Sequence, residues 1–118
     1  MNQSSEELQA AVKAALSKNA QDLLVLDIKD ISSFADSFII ATGTSNRHIK
    51  TLVESIEEAL KAMSVTPLSI EGLTEAKWVL MDYGNLIVHI FDEESRSFYD
   101  LPKLWSDASE IQVELSTK

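Results

Sequence analysis

The sequence predicts an α/β fold of the α+β type, in which helices cover a single mixed β-sheet. Two stretches have apolar residues at helical spacing, short runs of β-forming residues lie between and after them, and two such runs flank a Gly84-Asn85 turn signal. A strand-helix-strand crossover beside a hairpin requires both parallel and antiparallel pairing. The 118 residues fit one domain, which we place at 1–108 and follow with a C-terminal tail at 109–118.

The N-terminal part of the chain predicts a helix and then a buried strand. Ser4 and Glu7 form a capping-box pattern, and apolar residues follow at helical spacing, so the first helix should span about 5–18. Residues 22–28 are apolar at positions that would face both sides of a sheet. This pattern is typical of an internal strand.

A second strand and a long helix are expected on either side of a glycine turn. Residues 37–42 predict the strand, Gly43 ends it, and Thr44 or Ser45 caps the helix. The helix should span about 46–64, because its apolar residues recur along one stripe and charged residues occupy the opposite face.

The C-terminal half predicts a short strand, a hairpin and short helices. The short strand is expected at 68–70, the hairpin at 78–91, and a helical turn capped at 92–95. Pro102 suits the first turn of one more short helix. Residues 109–118 alternate weakly, which fits either an added edge strand or a frayed tail.

The hairpin sorts its residues onto two chemically different faces. With a two-residue loop, either 83–84 or 84–85, pairing parity fixes which side chains lie together. One face is entirely apolar and should lie in the core: Val79, Met81, Leu86, Val88 and Ile90. The other, which we call the mixed face, combines apolar and aromatic side chains with a carboxylate and an imidazole: Trp78, Leu80, Asp82, Ile87, His89 and Phe91.

Charge and composition exclude several classes of protein. The chain has 19 acidic and 10 basic residues, and residues 71–118 hold ten acids against four bases. Extensive binding to nucleic acid is therefore not expected, and a basic protein partner suits the surface better. The absence of cysteine removes thiol nucleophiles and thiolate metal sites. A polar N-terminus and apolar runs too short to span a bilayer predict a cytoplasmic protein without membrane attachment.

Two groups of residues invite a catalytic interpretation. The turn at Gly43 between strand and helix could present backbone N–H groups to a phosphate, but one glycine without paired carboxylates is a weak signal. On the mixed face, Asp82 lies within diagonal reach of His89 and could orient its imidazole, but no activated nucleophile accompanies them. His48 and His89 are the only histidines, so we predict no catalytic residue, no metal site and no cofactor.

Several motifs occur in one order over about residues 6–106, and with them the chain closely resembles the ribosomal silencing factor family, RsfS, also called Iojap. The motifs lie at 36–48, 71–72, 78–89, 94–101 and 104–105. The resemblance implies a non-enzymatic translation factor. Such a factor binds the large ribosomal subunit through its fourteenth protein, a basic partner, and blocks joining of the small subunit. The resemblance also implies a nucleotidyltransferase-like topology without catalytic carboxylates, and a homodimer when free.

Aromatic residues concentrate in the C-terminal half, and aromatic side chains with a polar handle are favoured at protein interfaces. We therefore predict a docking surface formed or bordered by Trp78, Asp82, Tyr83, His89, Phe91, Tyr99, Leu101 and Trp105. Arg47 and His48 form a second, separate candidate contact. Two alternatives stay open: a nucleotide-binding or nucleotidyltransferase-like enzyme that uses the Gly43 turn, and a dimeric adaptor without a ribosomal role.

Overall fold

The computed structural model describes residues 6–29, 35–98 and 109–110. They form three helices, α1 (Glu6–Ser17), α2 (Asn46–Lys61) and α3 (Glu93–Phe98). They also form six strands, β1 (Gln21–Asp27), β2 (Ser37–Thr42), β3 (Ser69–Glu71), β4 (Trp78–Asp82), β5 (Leu86–Phe91) and β6 (Ser109–Glu110). Within the described ranges the predicted order of helices and strands is confirmed. The second helix ends at Lys61 rather than near 64, because the chain leaves the helix through a turn in which Ser64 has a φ of 64°.

The strands form one mixed sheet in the order β3-β4-β5-β2-β1-β6. The central pair, β2 and β5, is parallel, and the other pairs are antiparallel. Helix α2 lies on the connection that leaves β2 and returns through β3 and β4 to β5. The predicted mixed sheet is therefore confirmed, with β3 as one of its edges.

The hairpin has the register that the sequence predicted. Trp78 pairs with Phe91 and Asp82 with Ile87, while the Tyr83 amide donates to the Leu86 carbonyl at 2.9 Å. These pairs leave Gly84 and Asn85 as the two-residue loop. Gly84 has a φ of +90°, a conformation that suits glycine, and its amide donates to Asp82 Oδ1 at 2.8 Å. The predicted division of the hairpin into two faces is confirmed.

Helices α1 and α2 supply the main core, which includes the apolar face of the hairpin. Within that core Leu52 and Ile56 of α2 are fully buried. The Ser45 side chain caps α2 by accepting from the His48 amide. Gly43 is required at the turn, because a Cβ there would lie 2.5 Å from Ile49 Cγ1. None of the helices within the described ranges is both long enough and apolar enough to cross a membrane.

The C-terminal elements contact strands β2 and β1. Arg96 of α3 donates to Thr42 Oγ1 and to the Asp22 carbonyl, each at 2.8 Å. Strand β6 pairs with Leu26 and Asp27 of β1, which agrees at 109–110 with the edge-strand alternative for the tail. The rest of the predicted tail and the helix predicted after Pro102 lie outside the described residues.

Candidate functional site

The mixed face continues from the hairpin across the whole sheet. The strand register places Leu80, His89 and Ile40 in one row and Asp82, Ile87 and Phe38 in the next. The apolar residues of these rows and their neighbours form a second apolar cluster on the side of the sheet away from the main core. It is made of Leu26, Ile28, Ala35, Phe38, Ile40, Ile87 and Phe91, with Leu24, Trp78 and Leu80 packed against it. The mixed face is therefore a second hydrophobic layer over much of its area.

His89 lies inside this layer and is 5% exposed. The Trp78 indole Nε1 donates to His89 Nδ1 at 3.0 Å, so a neutral imidazole has its proton on Nε2. That Nε2 is buried and has no hydrogen-bond partner. Burial lowers the pKa of His89 from 6.5 to about 4, because the charged form would lose its hydration. His89 is therefore neutral at physiological pH.

Asp82 does not hold the His89 imidazole, contrary to the sequence-based expectation. Its Oδ1 accepts the Gly84 amide of the hairpin turn instead. Both Trp78 and Asp82 lie diagonally across from His89 in the register, and the indole N–H takes the position that we had assigned to the carboxylate. A neutral His89 bonded to an indole lacks the arrangement of a general base.

Aromatic rings surround the His89 imidazole. Phe38 approaches it edge-on at 4.6 Å between ring centroids, and Phe91 is stacked parallel to it at 6.3 Å. Trp78 lies 5.1 Å from Phe91, so the indole is packed against the buried layer on one side. Phe91 itself is fully buried. His89 and Phe91 therefore position Trp78 in this structure rather than presenting their own side chains to solvent.

At the β3–β4 end of the sheet, part of the mixed face is exposed. Trp78, Leu80 and Asp82 are partly exposed, and Glu71 is exposed. Glu71 pairs across the strands with Leu80. We call these four residues the docking rim. A groove of about 290 Å³, lined by Glu71, Gly72, Trp78 and Leu80, opens there. An indole, a leucine and two carboxylates can bind apolar and cationic groups together.

Tyr83 belongs to the opposite side of the sheet. Its side chain is 9% exposed and lies in the main core with the helices, and its hydroxyl has no hydrogen-bond partner. Burial, together with the nearby charge of Glu57, raises the pKa of Tyr83 to about 12. The structure therefore separates Tyr83 from Trp78 and Asp82, with which the sequence-based prediction grouped it.

The second candidate contact lies at the start of α2 and shares no lining residue with the groove at the docking rim. Arg47 is exposed, whereas His48 connects two parts of the chain. His48 Nδ1 accepts from the Thr44 amide at 2.9 Å, and Nε2 lies 2.7 Å from the Lys18 carbonyl, to which it can donate. This geometry gives His48 a structural role in tying the end of α1 to the turn.

The same turn offers little to a phosphate. The Gly43 amide donates to the Phe91 carbonyl, the Thr44 amide to His48, and the His48 amide to Ser45. A phosphate cradle needs several such N–H groups directed at the ligand. Three donors of this turn are already bonded within the protein, which argues against the nucleotide-binding alternative.

Two residues that were not predicted line the candidate site, and three predicted ones lie outside the described residues. Glu71 and Leu80 line the groove but were absent from the predicted docking surface. Hairpin parity had placed Leu80 beside Trp78, while the position of Glu71 depends on how β3 pairs with β4. Tyr99, Leu101 and Trp105 lie outside the described residues. Within the described ranges, no three His, Asp or Glu side chains form a group that could hold a metal.

Known proteins resemble the chain along most of its length. The family model "Ribosomal silencing factor during starvation" (RsfS) matches residues 1–118. The ribosomal silencing factor RsfS of Bacillus subtilis is 40% identical over 108 residues, covering 92% of this chain and 91% of the relative. A crystal structure of protein CV0518 from Chromobacterium violaceum superposes with a TM-score of 0.83 at 30% identity, covering 96% of this chain and 92% of that one.

A more distant relative from mouse has a name that refers to the large ribosomal subunit. "Mitochondrial assembly of ribosomal large subunit protein 1" is 33% identical over 92 residues, which cover 75% of this chain and 40% of the mouse protein. The bacterial relatives have names that describe regulation rather than catalysis. The full-length family match, the identities and the shared fold establish that this chain belongs to the ribosomal silencing factor family.

Proposed function

We propose that this protein represses translation by binding the large ribosomal subunit through its fourteenth ribosomal protein and blocking association with the small subunit. The observation that supports this proposal most directly is the docking rim, where partly exposed Trp78 and Leu80 share one face of the sheet with the carboxylates of Glu71 and Asp82. Family membership and the reference to the large subunit in the mouse relative's name agree with it.

The chemistry of the rim fits a basic protein partner. Indole and leucine side chains provide desolvated contact area, and tryptophan is enriched among residues that dominate binding energy. Glu71 and Asp82 can bind lysine or arginine side chains of the partner, and the net charge of −9 attracts a basic protein at long range. The Trp78–His89 hydrogen bond holds the indole in place before binding, which reduces the entropy lost on association.

Repression by this route requires no catalytic step. A bound domain of 118 residues excludes the small subunit from the surface that it covers, and its negative charge repels RNA. We accordingly propose a cytoplasmic, non-enzymatic factor without a cofactor that forms a homodimer when free. Because dimer and partner interfaces have similar compositions, the homodimer can use the same face.

The direct test is a sedimentation assay with isolated large subunits, with and without small subunits. The parent protein should co-sediment with large subunits and reduce the amount of joined ribosomes. Trp78→Ala should weaken binding by more than about 1 kcal/mol, the scale of an interface hot spot. Unchanged affinity in a folded Trp78→Ala variant would contradict the assigned surface. A parent protein that does not bind large subunits would contradict the function itself.

A further inference from the structure

We propose that the edge of β3 that faces away from β4, which is unpaired among the described residues, binds an extended, cationic segment of a large-subunit protein as an added β-strand. The inference rests on the proposed function and specifies the mode of binding. It concerns the backbone of residues 68–72, whereas the docking rim is defined by side chains.

Strand β3 is the edge of the sheet next to the docking rim. Its neighbour within the described residues is β4, and an edge strand directs every second N–H and C=O group outward, where another chain can pair with it. Leu68 is 75% exposed and Leu73 is 37% exposed, so large apolar side chains lie open at both ends of this edge. An added strand beside β3 could cover these exposed leucines and remove their apolar surface from water.

The groove gives the added strand a place for its side chains. Glu71 and Leu80 share the mixed face, so alternate residues of an added strand would lie over the groove and beside the Glu71 carboxylate. The groove continues over Gly72, where a Cβ would lie 2.2 Å from the Trp78 carbonyl oxygen. An apolar side chain in the groove and a lysine or arginine beside Glu71 would satisfy both features.

Charge favours a basic partner over a second copy of this chain at this edge. Each copy has a net charge of −9, and antiparallel pairing of two β3 edges would bring both Glu71 side chains to the same short junction. Like charges that face each other across strands destabilise the pair. A cationic strand reverses the sign of this interaction, and β3 itself contains no basic residue.

A pair of proline variants, Ser69→Pro and Ile70→Pro, tests strand addition. Consecutive N–H groups in a strand point to opposite sides, so one substitution removes a donor to β4 and the other removes a donor at the open edge. Thermal melting identifies the edge variant as the one that keeps the stability of the parent. We expect its dissociation constant for isolated large subunits to rise at least tenfold, and an unchanged constant would overturn the proposal.

If both proline variants lose stability, strand addition is tested instead by amide hydrogen exchange of the parent protein. Slower exchange of the amides at 69–71 in the presence of large subunits would support strand addition, and unchanged exchange despite co-sedimentation would overturn it while leaving the proposed function intact. Failure of the parent to co-sediment would overturn both. An edge variant that loses self-association but keeps subunit binding would assign the edge to a second copy and also overturn the proposal.

A matched charge reversal tests the nature of the partner. Glu71→Lys is compared with Glu58→Lys, which makes the same change at an exposed position on α2. We expect Glu71→Lys to weaken subunit binding at least tenfold and Glu58→Lys to weaken it less than twofold. Equal effects would show that only the net charge matters and would overturn a cationic strand beside Glu71.

Discussion

The two faces of the β4–β5 hairpin are built from neighbouring residues in the sequence but have different environments. On the helix-covered face, Val79, Met81, Val88 and Ile90 are fully buried. On the mixed face, burial falls from Phe91 and His89 in the centre of the sheet to the partly exposed Trp78 and Leu80 near its edge. The comparison indicates that one face lies wholly in the core, whereas the other combines a buried centre with a partly exposed end, the end that we propose for binding.

The largest difference between the two faces should appear in stability. Leu52 of α2 is fully buried against the helix-covered face, so Leu52→Ala should lower the free energy of unfolding by about 2 to 5 kcal/mol. Urea denaturation measures this loss. The matched control is Leu16→Ala, because Leu16 is 44% exposed and should lose much less. Similar losses for the two variants would contradict the central place of the helix-covered face in the core.

The next effect is the dependence of stability on pH through His89, which is buried beside the docking rim. The pKa of His89 is about 4 in the folded protein and 6.5 as an unperturbed group, so the unfolded chain takes up a proton first. The stability linked to neutral His89 is complete above about pH 6.5 and is lost as the pH falls towards 4. Acidification from pH 7 to 4.5 should therefore lower the free energy of unfolding by roughly 2 to 3 kcal/mol through His89.

The measurement for His89 is urea unfolding of the parent and of His89→Gln at both pH values. The glutamine variant has no group that titrates at this position, so carboxylates elsewhere contribute equally to both proteins. The parent should lose more stability than the variant on acidification. Equal losses in the two proteins would show that the folded protein accommodates a charged imidazole. His89 would then not be held in a water-excluded environment.

A smaller effect is expected from the indole hydrogen bond. Trp78→Phe keeps an aromatic ring but leaves His89 Nδ1 without its donor at 3.0 Å, which should cost about 1 to 2 kcal/mol of stability. Binding to large subunits should weaken less than for Trp78→Ala, since most of the ring surface remains. If Trp78→Phe and Trp78→Ala bind equally weakly, orientation by His89 matters more than contact area.

The smallest effect is expected at Tyr83, on the helix-covered side. Its hydroxyl is buried without a partner, so Tyr83→Phe should leave stability unchanged or raise it by up to about 1 kcal/mol. Subunit binding should not change, because the side chain lies in the main core. Thermal melting and the sedimentation assay check both results, and a clear loss of binding would return Tyr83 to the docking surface.

Sequence patterns predicted the fold well because its signals are local. The apolar stripe of α2, the Ser45 cap and the Gly84-Asn85 turn each depend on residues close together in the chain, and the turn determines the register that separates the two faces. The family resemblance is confirmed by comparisons over most of the chain.

The candidate site was predicted less well, because it depends on distant pairings and on competition between side chains. Parity placed His89 and Trp78 together, but it could not decide whether Trp78 or Asp82 would bond the imidazole. Glu71 lies beside Leu80 only through the pairing of β3 with β4. Tyr83 was misplaced because proximity in sequence to Asp82 says nothing about which face of a strand a side chain occupies.

The most direct test of the docking rim compares two leucines that differ in position. Leu80→Ala removes apolar surface from the groove, while Leu16→Ala makes the same change at an exposed position on α1. In a titration with isolated large subunits, Leu80→Ala should weaken binding by more than about 1 kcal/mol, and Leu16→Ala should bind like the parent. Parent-like binding by a folded Leu80→Ala variant, or an equal loss for Leu16→Ala, would contradict the docking rim as the ribosome-binding surface.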